Sequence, residues 1–419
     1  YAAARQTLER YLQDKDRGVS HEEVDYMLAC TAYELQLPDA LRQLQMYLEA
    51  YPESRYRNRG QALIGSAYFF EGNYEAALRA YQQVNVELLG DTERDECALR
   101  LGTSYLKMND LDEAYIWFSV IRAASSKYAA DARYNLAYID YVKQRYDQAW
   151  EGFSAVKDQP EYAALAPYYL ADIQLIHNNY RQALQLADAY LQAYPQQEFV
   201  PQMQRIAGEA HYGLKDYAAA IPLLEAYHDA VDFPARNAMY RLGMSYFNTG
   251  VYSKAALRLG EAAGPQDAMS QNAYLHMGLS YLQLRDRSRA RMAFEQAATT
   301  NFDPRAKEQA LYNYALCIHE TSYSPFAESV TVFERLLNEY PNSPYADRVN
   351  DYLVEVYMNT RSYQAALQSI AKISRPSRQI LEAKQRILFR LGTESFAQAD
   401  FQKAIDYFSQ SLQLGSYNQ

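Results

Sequence analysis

Small and apolar side chains recur along the chain at intervals of 34 to 39 residues. In most copies a bulky residue, often tyrosine, stands three positions before an alanine, and another bulky residue follows four positions after it. Repeats of this length indicate stacked supersecondary units. The pattern therefore predicts eleven consecutive units, whose alanine-type positions are Ala40, Ala77, Ala114, Ala149, Ala183, Ala220, Ala255, Ala290, Ser329, Ala366 and Ala404.

A second small residue precedes most of these positions by twelve residues. Small side chains let two helices approach closely, and apolar residues at i, i+3, i+4 and i+7 fill the space between them. Polar connectors, such as residues 71–73, separate the two halves of a unit. Each unit is thus predicted to be a helix–turn–helix pair, which gives an all-α chain of about 22 to 24 helices. The small positions are Gly65, Gly102, Ala137, Ala171, Gly208, Gly243, Gly278 and Gly392, with Ala315 and Val354 standing there in the ninth and tenth units.

The two ends of the chain fit the same pattern. Residues 1–13 are predicted to form the second helix of a truncated repeat, because Ala4 lies 36 residues before Ala40. Residues 20–419 are predicted to form the eleven-repeat solenoid. Solenoids normally need polar capping repeats, and the last apolar helix is not followed by one, so we expect an excerpt or processed form of a longer protein. The alternative is that residues 1–13 form an N-terminal cap.

Composition and charge narrow the classes of function. Lys and Arg number 41 against 51 Asp and Glu, which gives a net charge of −10. Nucleic-acid-binding domains usually carry a basic face, so we expect no nucleic-acid partner. The sequence has no apolar run long enough to cross a bilayer, so we expect no transmembrane segment. Tyrosine is unusually frequent, at 41 of 419 residues, and many tyrosines occupy equivalent positions of the repeat.

Residues that could carry chemistry are scattered. The string Gly-x-Ser-Tyr occurs at Gly102, Gly243 and Gly278, always at the same repeat position, which indicates packing rather than catalysis. The six histidines and three cysteines have no metal-ligand spacing. We therefore expect no catalytic residues, no metal and no cofactor, and the chain is not expected to be an enzyme.

Eleven units with this skeleton resemble the tetratricopeptide-repeat family over nearly the whole chain. The resemblance implies a right-handed superhelix of paired helices that binds protein or extended peptide in a concave groove. In this family the first helix of each unit lines the groove. The resemblance places groove-facing residues three before, one after and four after the small position.

Aromatic residues occupy many of these implied groove positions in the middle units. Tyr134, Tyr138 and Tyr141 stand at i, i+4 and i+7 and so share one helical face, whereas packing residues such as Ala137 and Phe153 are assigned to a different face. Rings at a wet, partly apolar surface are typical anchors for protein recognition. The predicted partner-binding residues are Tyr134, Tyr138, Tyr141, Tyr168, Tyr240, Phe247 and Tyr312.

Three junctions between units share a Tyr-Pro motif, at residues 51–56, 194–199 and 340–345. Proline ends the preceding helix, and the last ring can staple the start of the next one. The string at residues 340–347 is similar to the tetratricopeptide lipoproteins of bacterial outer-membrane assembly and to the Tol–Pal cell-division coordinator. This local resemblance implies a bacterial cell envelope location facing the periplasm, with the cytoplasm as the alternative.

The leading hypothesis for function is a non-catalytic scaffold that binds a protein or an extended peptide. The alternative is the recognition arm of a larger enzyme or signalling protein whose catalytic domain lies outside this sequence. A third interpretation is end-to-end self-association, which follows from the uncapped ends.

Overall fold

The computed structural model describes residues 1–13, 21–123, 125–321, 325–360 and 362–415. Within these ranges the chain forms 23 α-helices and one short 3-10 helix, and no β-strand. The predicted all-α class and the predicted number of helices are therefore confirmed. A membrane-crossing helix, which needs a long and almost uncharged apolar stretch, is not found in this described part of the chain.

The chain divides into two compact units, Tyr1–Met203 and Gln204–Gln419. In unit 1 each helix packs mainly on the helix before it and the helix after it. The helices of unit 1 are α1 (Ala2–Gln13), α2 (His21–Glu34), α3 (Ala40–Ala50), α4 (Arg57–Phe70), α5 (Tyr74–Tyr81), the 3-10 helix Val86–Leu88, α6 (Asp91–Lys107), α7 (Leu111–Phe118), α8 (Ala129–Val142), α9 (Tyr146–Val156), α10 (Ala166–Ile176) and α11 (Tyr180–Ala193).

Most helices of unit 2 also pack mainly on the helices that precede and follow them. The boundary between the units falls within α12, which begins in unit 1 and continues into unit 2. The remaining helices are α12 (Val200–Gly213), α13 (Tyr217–Ala230), α14 (Arg236–Asn248), α15 (Tyr252–Ala262), α16 (Ala268–Gln283), α17 (Arg287–Thr299), α18 (Pro304–Thr321), α19 (Pro325–Glu339), α20 (Ala346–Asn359), α21 (Tyr363–Ile370), α22 (Arg378–Ala397) and α23 (Phe401–Gln413).

Glycines at the predicted small positions let the paired helices touch. A β-carbon added to Gly102 would lie 2.7 Å from the ring of Phe118, and one added to Gly278 would lie 2.5 Å from the ring of Phe294. Both rings are fully buried, so each occupies the space that a larger side chain at the glycine would need. The predicted close approach of the two helices of a unit is confirmed at these positions.

Several of the described turns inside the repeats share one geometry. At Asn109 the backbone enters the left-handed region, with φ of 62°, and the amide of Asp110 donates to the carbonyl of Tyr105 at 2.9 Å to close α6. The side chain of Asp110 then accepts a hydrogen bond from the amide of Glu113 and caps α7. The polar connectors of the sequence are therefore combined stop and start signals. Caps of this kind also begin helices at Asn73, Asp216, Asp286 and Asp400.

The segment at the beginning of the chain is helical, as expected. Helix α1 spans Ala2–Gln13 and packs on α2, and Arg5 donates a hydrogen bond to the carbonyl of Leu28 at 3.1 Å. These contacts do not distinguish half of a repeat from a cap, so the division into residues 1–13 and 20–419 stays a prediction.

Candidate partner-binding surface

Five tyrosines from two first helices form a ring cluster in unit 1: Tyr134, Tyr138 and Tyr141 on α8, and Tyr168 and Tyr169 on α10. Tyr169 lies at the centre of this ring cluster. Its ring makes edge-to-face contacts with the other four, at centroid distances of 4.9 to 6.2 Å. The structure thus brings four predicted anchors together through a residue that the prediction did not include.

All five side chains of the ring cluster are half-buried. Tyr134 meets the buried ring of Phe153 edge to face at 5.6 Å, and Tyr169 stacks flat on the same ring at 4.5 Å. Phe153 belongs to α9, which directly follows α8 and is the second helix of the same repeat. The expected placement of Phe153 on a face away from the tyrosines is wrong for Tyr134, because one large buried ring contacts both α8 and α10.

Several predicted anchors are covered on one face by an aromatic ring at the start of the first helix of the following repeat. Such a ring is called a leading ring. Tyr162 stacks on Tyr134 at 4.5 Å, and Phe199 stacks on Tyr168 at 4.6 Å. Each of these leading rings stands nine residues before the small position of its own repeat. Leading rings therefore tie one first helix to the next, besides standing where a new helix begins. The same offset produces two further stacked pairs, Tyr26–Tyr56 and Tyr312–Tyr345.

Two carboxylates accept hydrogen bonds from tyrosine hydroxyl groups, one within the ring cluster and one beside it. Tyr141 donates to the buried Asp172 with an oxygen–oxygen distance of 2.5 Å, and Tyr162 donates to Asp131. Burial raises the pKa of Tyr169 well above its ordinary value, so this hydroxyl stays neutral at physiological pH. Asp172 therefore sets the direction of the Tyr141 hydroxyl, and Asp131 sets that of the Tyr162 hydroxyl.

Tyr138 is the least constrained member of the ring cluster. Among the described residues it contacts one ring, that of Tyr169, edge to face at 6.0 Å. Tyr134, in comparison, contacts three rings. Removal of the Tyr138 ring would therefore break fewer ring–ring contacts than removal of any other ring of the cluster.

In unit 2 the predicted anchors Tyr240 and Phe247 lie on α14 and are both half-buried. Burial raises the pKa of Tyr240 to about 12. Phe247 meets His276 at 5.0 Å and Tyr252 at 5.8 Å, in both cases edge to face. These two side chains support the packing of their own unit, and only part of each ring is open to a partner.

Tyr312, the last predicted anchor, lies on α18 and is 6% exposed. Its ring stacks on the leading ring of Tyr345 at 4.2 Å. Tyr312 therefore offers little surface in this conformation, and its use in binding stays a prediction.

Tyr162 and Tyr169 are the residues that sequence reasoning missed. The offset of nine residues before a small position, already visible at Phe199, also selects Tyr162, which stands nine residues before Ala171. The Tyr168–Tyr169 pair was a weaker signal, because adjacent helical residues point about 100° apart and one of them must leave the groove face.

The described residues contain no group of three or more potential metal ligands. Cys97 and Cys317 are buried, and burial raises the pKa of their thiols to about 12 and about 11. Because the thiolate is the nucleophilic form, both cysteines act as core side chains.

Models described as tetratricopeptide repeat match five segments of the chain, at residues 23–54, 59–85, 207–268, 272–300 and 309–343. None of the curated proteins compared with the chain matches it.

Several solved structures are similar to the chain at low sequence identity. A C-terminal part of a TPR repeat-containing protein from Cytophaga hutchinsonii is 14% identical, with a TM-score of 0.42 over 60% of this chain and 98% of that one. A tetratricopeptide repeat protein from Parabacteroides merdae is also 14% identical, with a TM-score of 0.40 over 61% and 98%. YrrB, described as a TPR protein with an unusual peptide-binding site, is 16% identical, with a TM-score of 0.36 over 50% and 96%. The repeat matches in both units, together with the consecutive helix pairs, support a tetratricopeptide-repeat protein.

Proposed function

We propose that the chain is a non-catalytic scaffold that binds a partner protein or an extended peptide along the first helices of its repeats. The ring cluster on α8 and α10 is the observation that carries this proposal. It places five half-buried tyrosines side by side on two successive first helices.

The ring cluster suits recognition because it is organised before a partner arrives. Its rings hold one another through edge-to-face contacts, and the hydroxyl of Tyr141 is fixed by Asp172. Side chains that are already ordered lose little conformational entropy on binding. Tyrosine also combines apolar area with a polar tip, which explains its frequent use in protein interfaces.

The chemistry of the ring cluster indicates the kind of segment it would bind. Ring edges and neutral hydroxyl groups complement apolar or aromatic side chains and backbone carbonyl groups. We therefore expect an extended segment with apolar side chains, held between the rings of α8 and α10 in the groove.

Peptide selection followed by affinity measurement tests this proposal. Peptides selected from a random displayed library on the whole chain are measured against wild type, Tyr138→Ala and Tyr180→Ala. Tyr180 is the matched control, because it is also half-buried but begins a second helix, where its hydroxyl donates to Asn178 at 2.6 Å. Loss of a central anchor is expected to weaken binding by about tenfold or more.

We expect Tyr138→Ala to weaken the selected peptides and Tyr180→Ala to bind them like wild type, with both variants retaining wild-type circular dichroism. Equal affinity of Tyr138→Ala and wild type would contradict binding at the ring cluster. Failure to select any peptide would contradict the scaffold proposal itself.

The proposal includes a periplasm-facing location in a bacterial envelope. Its support is the sequence of residues 340–347, which also begins α20. Fractionation of cells that express the natural protein, detected with an antibody against this chain, is expected to recover it with the envelope or the periplasm. Recovery with the cytosolic fraction would contradict this location.

A further inference from the structure

A concave surface lies between α20 and α22, on the first helices of the last two repeats of unit 2. It is an open cleft of about 260 Å³. Each helix lines it with four side chains at i, i+3, i+4 and i+7, so one continuous face of each helix is involved. Small-molecule pockets usually measure about 300 to 1,000 Å³, so this cleft has room for one or two side chains of a partner.

The rim of the cleft is acidic. Three carboxylates and one guanidinium line it, which gives a net charge of −2. Glu382 is paired with Arg378 at 3.0 Å. Asp351 and Glu355 are exposed and, among the described residues, form no ion pair within 4.0 Å. The guanidinium that lines the cleft belongs to Arg386, which is exposed on α22.

The placement of the two unpaired carboxylates has an energetic consequence. Asp351 and Glu355 are four residues apart on one helix, where like charges repel each other. Arg348, one turn before Asp351, interacts with Tyr312 instead. A cation held between the two carboxylates would convert this repulsion into attraction.

The floor of the cleft is apolar. Val354 and Met358 are half-buried on α20, and Ala383 is buried on α22. The aliphatic stem of a lysine or arginine side chain packs well on such a floor while its charged end reaches the rim. The thioether of methionine adapts to different partners because it is unbranched and polarizable.

We propose that this acidic cleft binds a cationic segment of a partner protein, with one lysine or arginine side chain lying on Val354 and Met358 and its charge between Asp351 and Glu355. Arg386 is left at the edge to hold a carbonyl or carboxylate group of the same segment. The net charge of −10 on the whole chain would also attract a basic partner before contact. This surface differs in position and chemistry from the ring cluster, and the inference rests on the proposed function because α20 and α22 are also first helices.

A defined peptide and a matched pair of double variants test the proposal. The probe is a fluorescein-labelled peptide of sequence Gly-Lys-Leu-Gly-Lys-Leu-Gly, and the same peptide with glutamate for lysine is the negative probe. The test variant combines Asp351→Asn and Glu355→Gln. The control combines Asp147→Asn and Glu151→Gln, because these exposed residues form the same i, i+4 pair on α9, outside any cleft described here.

Fluorescence anisotropy with the whole chain is expected to show binding of the lysine peptide alone, weakened when salt is raised from about 50 to about 500 mM. The test variant is expected to raise Kd by about tenfold or more, since charge-assisted contacts are lost, and the control is expected to match wild type. Tyr138→Ala is also expected to match wild type, which separates this surface from the ring cluster.

Three results would overturn the proposal. The first is that the lysine peptide does not bind the wild-type chain. The second is that the test and control variants lose affinity equally, which would indicate a general charge effect. The third is that the test variant binds the peptide as tightly as wild type does.

Discussion

The ring cluster of unit 1 and the acidic cleft of unit 2 both lie on the first helices of two successive repeats, but they present different side chains. On α8 and α10 the first-helix positions carry rings that contact one another and the buried Phe153. On α20 and α22 the residues that line the cleft include four charged side chains, of which Asp351 and Glu355 have no ion-pair partner among the described residues. Binding and stability are therefore coupled in the first region and separable in the second.

The layers beneath these two surfaces also differ. The ring cluster rests on the buried ring of Phe153, and Phe333 is buried at the equivalent position of α19. The residue after Phe333 is Glu334, and its carboxyl group, between α19, α20 and α21, is also buried, at 4% exposed. Tyr357 donates a hydrogen bond to Glu334 at 3.2 Å, and Ser369 donates to the same oxygen. Unit 2 thus adds a hydrogen-bonded carboxyl group beside a buried ring, and a carboxyl group responds to pH whereas a ring does not.

Removal of the central ring of the cluster is expected to have the largest effect on stability. Tyr169→Ala would remove the ring that stacks on Phe153 and contacts four tyrosines. Truncation of a large packed ring typically costs about 3 to 5 kcal/mol. Urea unfolding followed by circular dichroism should show this loss in Tyr169→Ala and a much smaller loss in Tyr138→Ala. Similar losses in the free energy of unfolding for both variants would show that Tyr169 contributes no more to the packing of the ring cluster than Tyr138 does.

The close approach of α8 and α9 in unit 1 provides the next test. A β-carbon added to Gly152 on α9 would lie 2.7 Å from the β-carbon of Ala137 on α8. Overpacking of this kind typically costs about 1 to 3 kcal/mol, so Gly152→Ala is expected to destabilise the chain. Gly260→Ala in α15 is the control, because its nearest neighbour would be the end of Met277 at 3.6 Å.

Gly260→Ala is expected to stabilise the chain by about 0.5 to 1 kcal/mol, since alanine is the better helix former. Opposite signs for the two glycine variants in thermal unfolding would support the packing described here. A neutral or stabilising Gly152→Ala would show that α8 and α9 can separate at little expense.

The fold was predictable from the sequence because its main contacts are local. Gly102 and Phe118 both belong to one repeat, so the spacing of small and bulky residues already encodes their contact. The common face of Tyr134, Tyr138 and Tyr141 was predictable for the same reason, since it depends only on helical periodicity.

The environment of the candidate site could not be predicted in the same way. The coverage of Tyr312 depends on Tyr345, 33 residues further along the chain and in the next repeat. The burial of Glu334 is equally hidden, because a glutamate in an amphipathic helix is usually exposed. Its partners Tyr357 and Ser369 come from two later helices. Contacts between repeats depend on which side chain fills a shared space, and the repeat pattern does not specify it.

The buried carboxyl group of unit 2 predicts an unusual pH dependence. Burial raises the pKa of Glu334, although the hydrogen bond from Tyr357 and the charge of Lys372 oppose this shift. A raised pKa in the folded state means that Glu334 favours folding most below its unfolded pKa of about 4.3, and that this contribution is lost as the pH rises through the folded value.

Glu334→Gln keeps an oxygen that can accept from Tyr357 and Ser369 but never ionises. We expect it to raise the melting temperature by a few degrees at pH 7.5, on the scale of about 2 to 4 °C per kcal/mol for units of this size. The difference from wild type should shrink as the pH falls towards 4.5. Glu394→Gln, at an exposed position of α22, should leave the melting temperature unchanged. A lower melting temperature for Glu334→Gln at pH 7.5 would mean that the ionised carboxylate stabilises the fold.

The smallest expected effect is on the stability of the variant with a neutralised cleft, and it separates the two regions most sharply. Asp351→Asn with Glu355→Gln removes two exposed carboxylates that repel each other across one helical turn. Relief of a like-charge i, i+4 pair typically contributes about 0.2 to 0.5 kcal/mol, so a slight stabilisation is expected at low salt. This gain should vanish at high salt, where exposed charges are screened. A clear destabilisation would show instead that these carboxylates hold unit 2 together.

The same thermal scans on Tyr138→Ala with Tyr141→Ala should show a lower melting temperature, because Tyr141 contacts Tyr169 at 5.1 Å and binds Asp172. Mutation of anchors that also support the fold lowers affinity and stability together, whereas neutralising the acidic cleft should lower affinity without lowering stability.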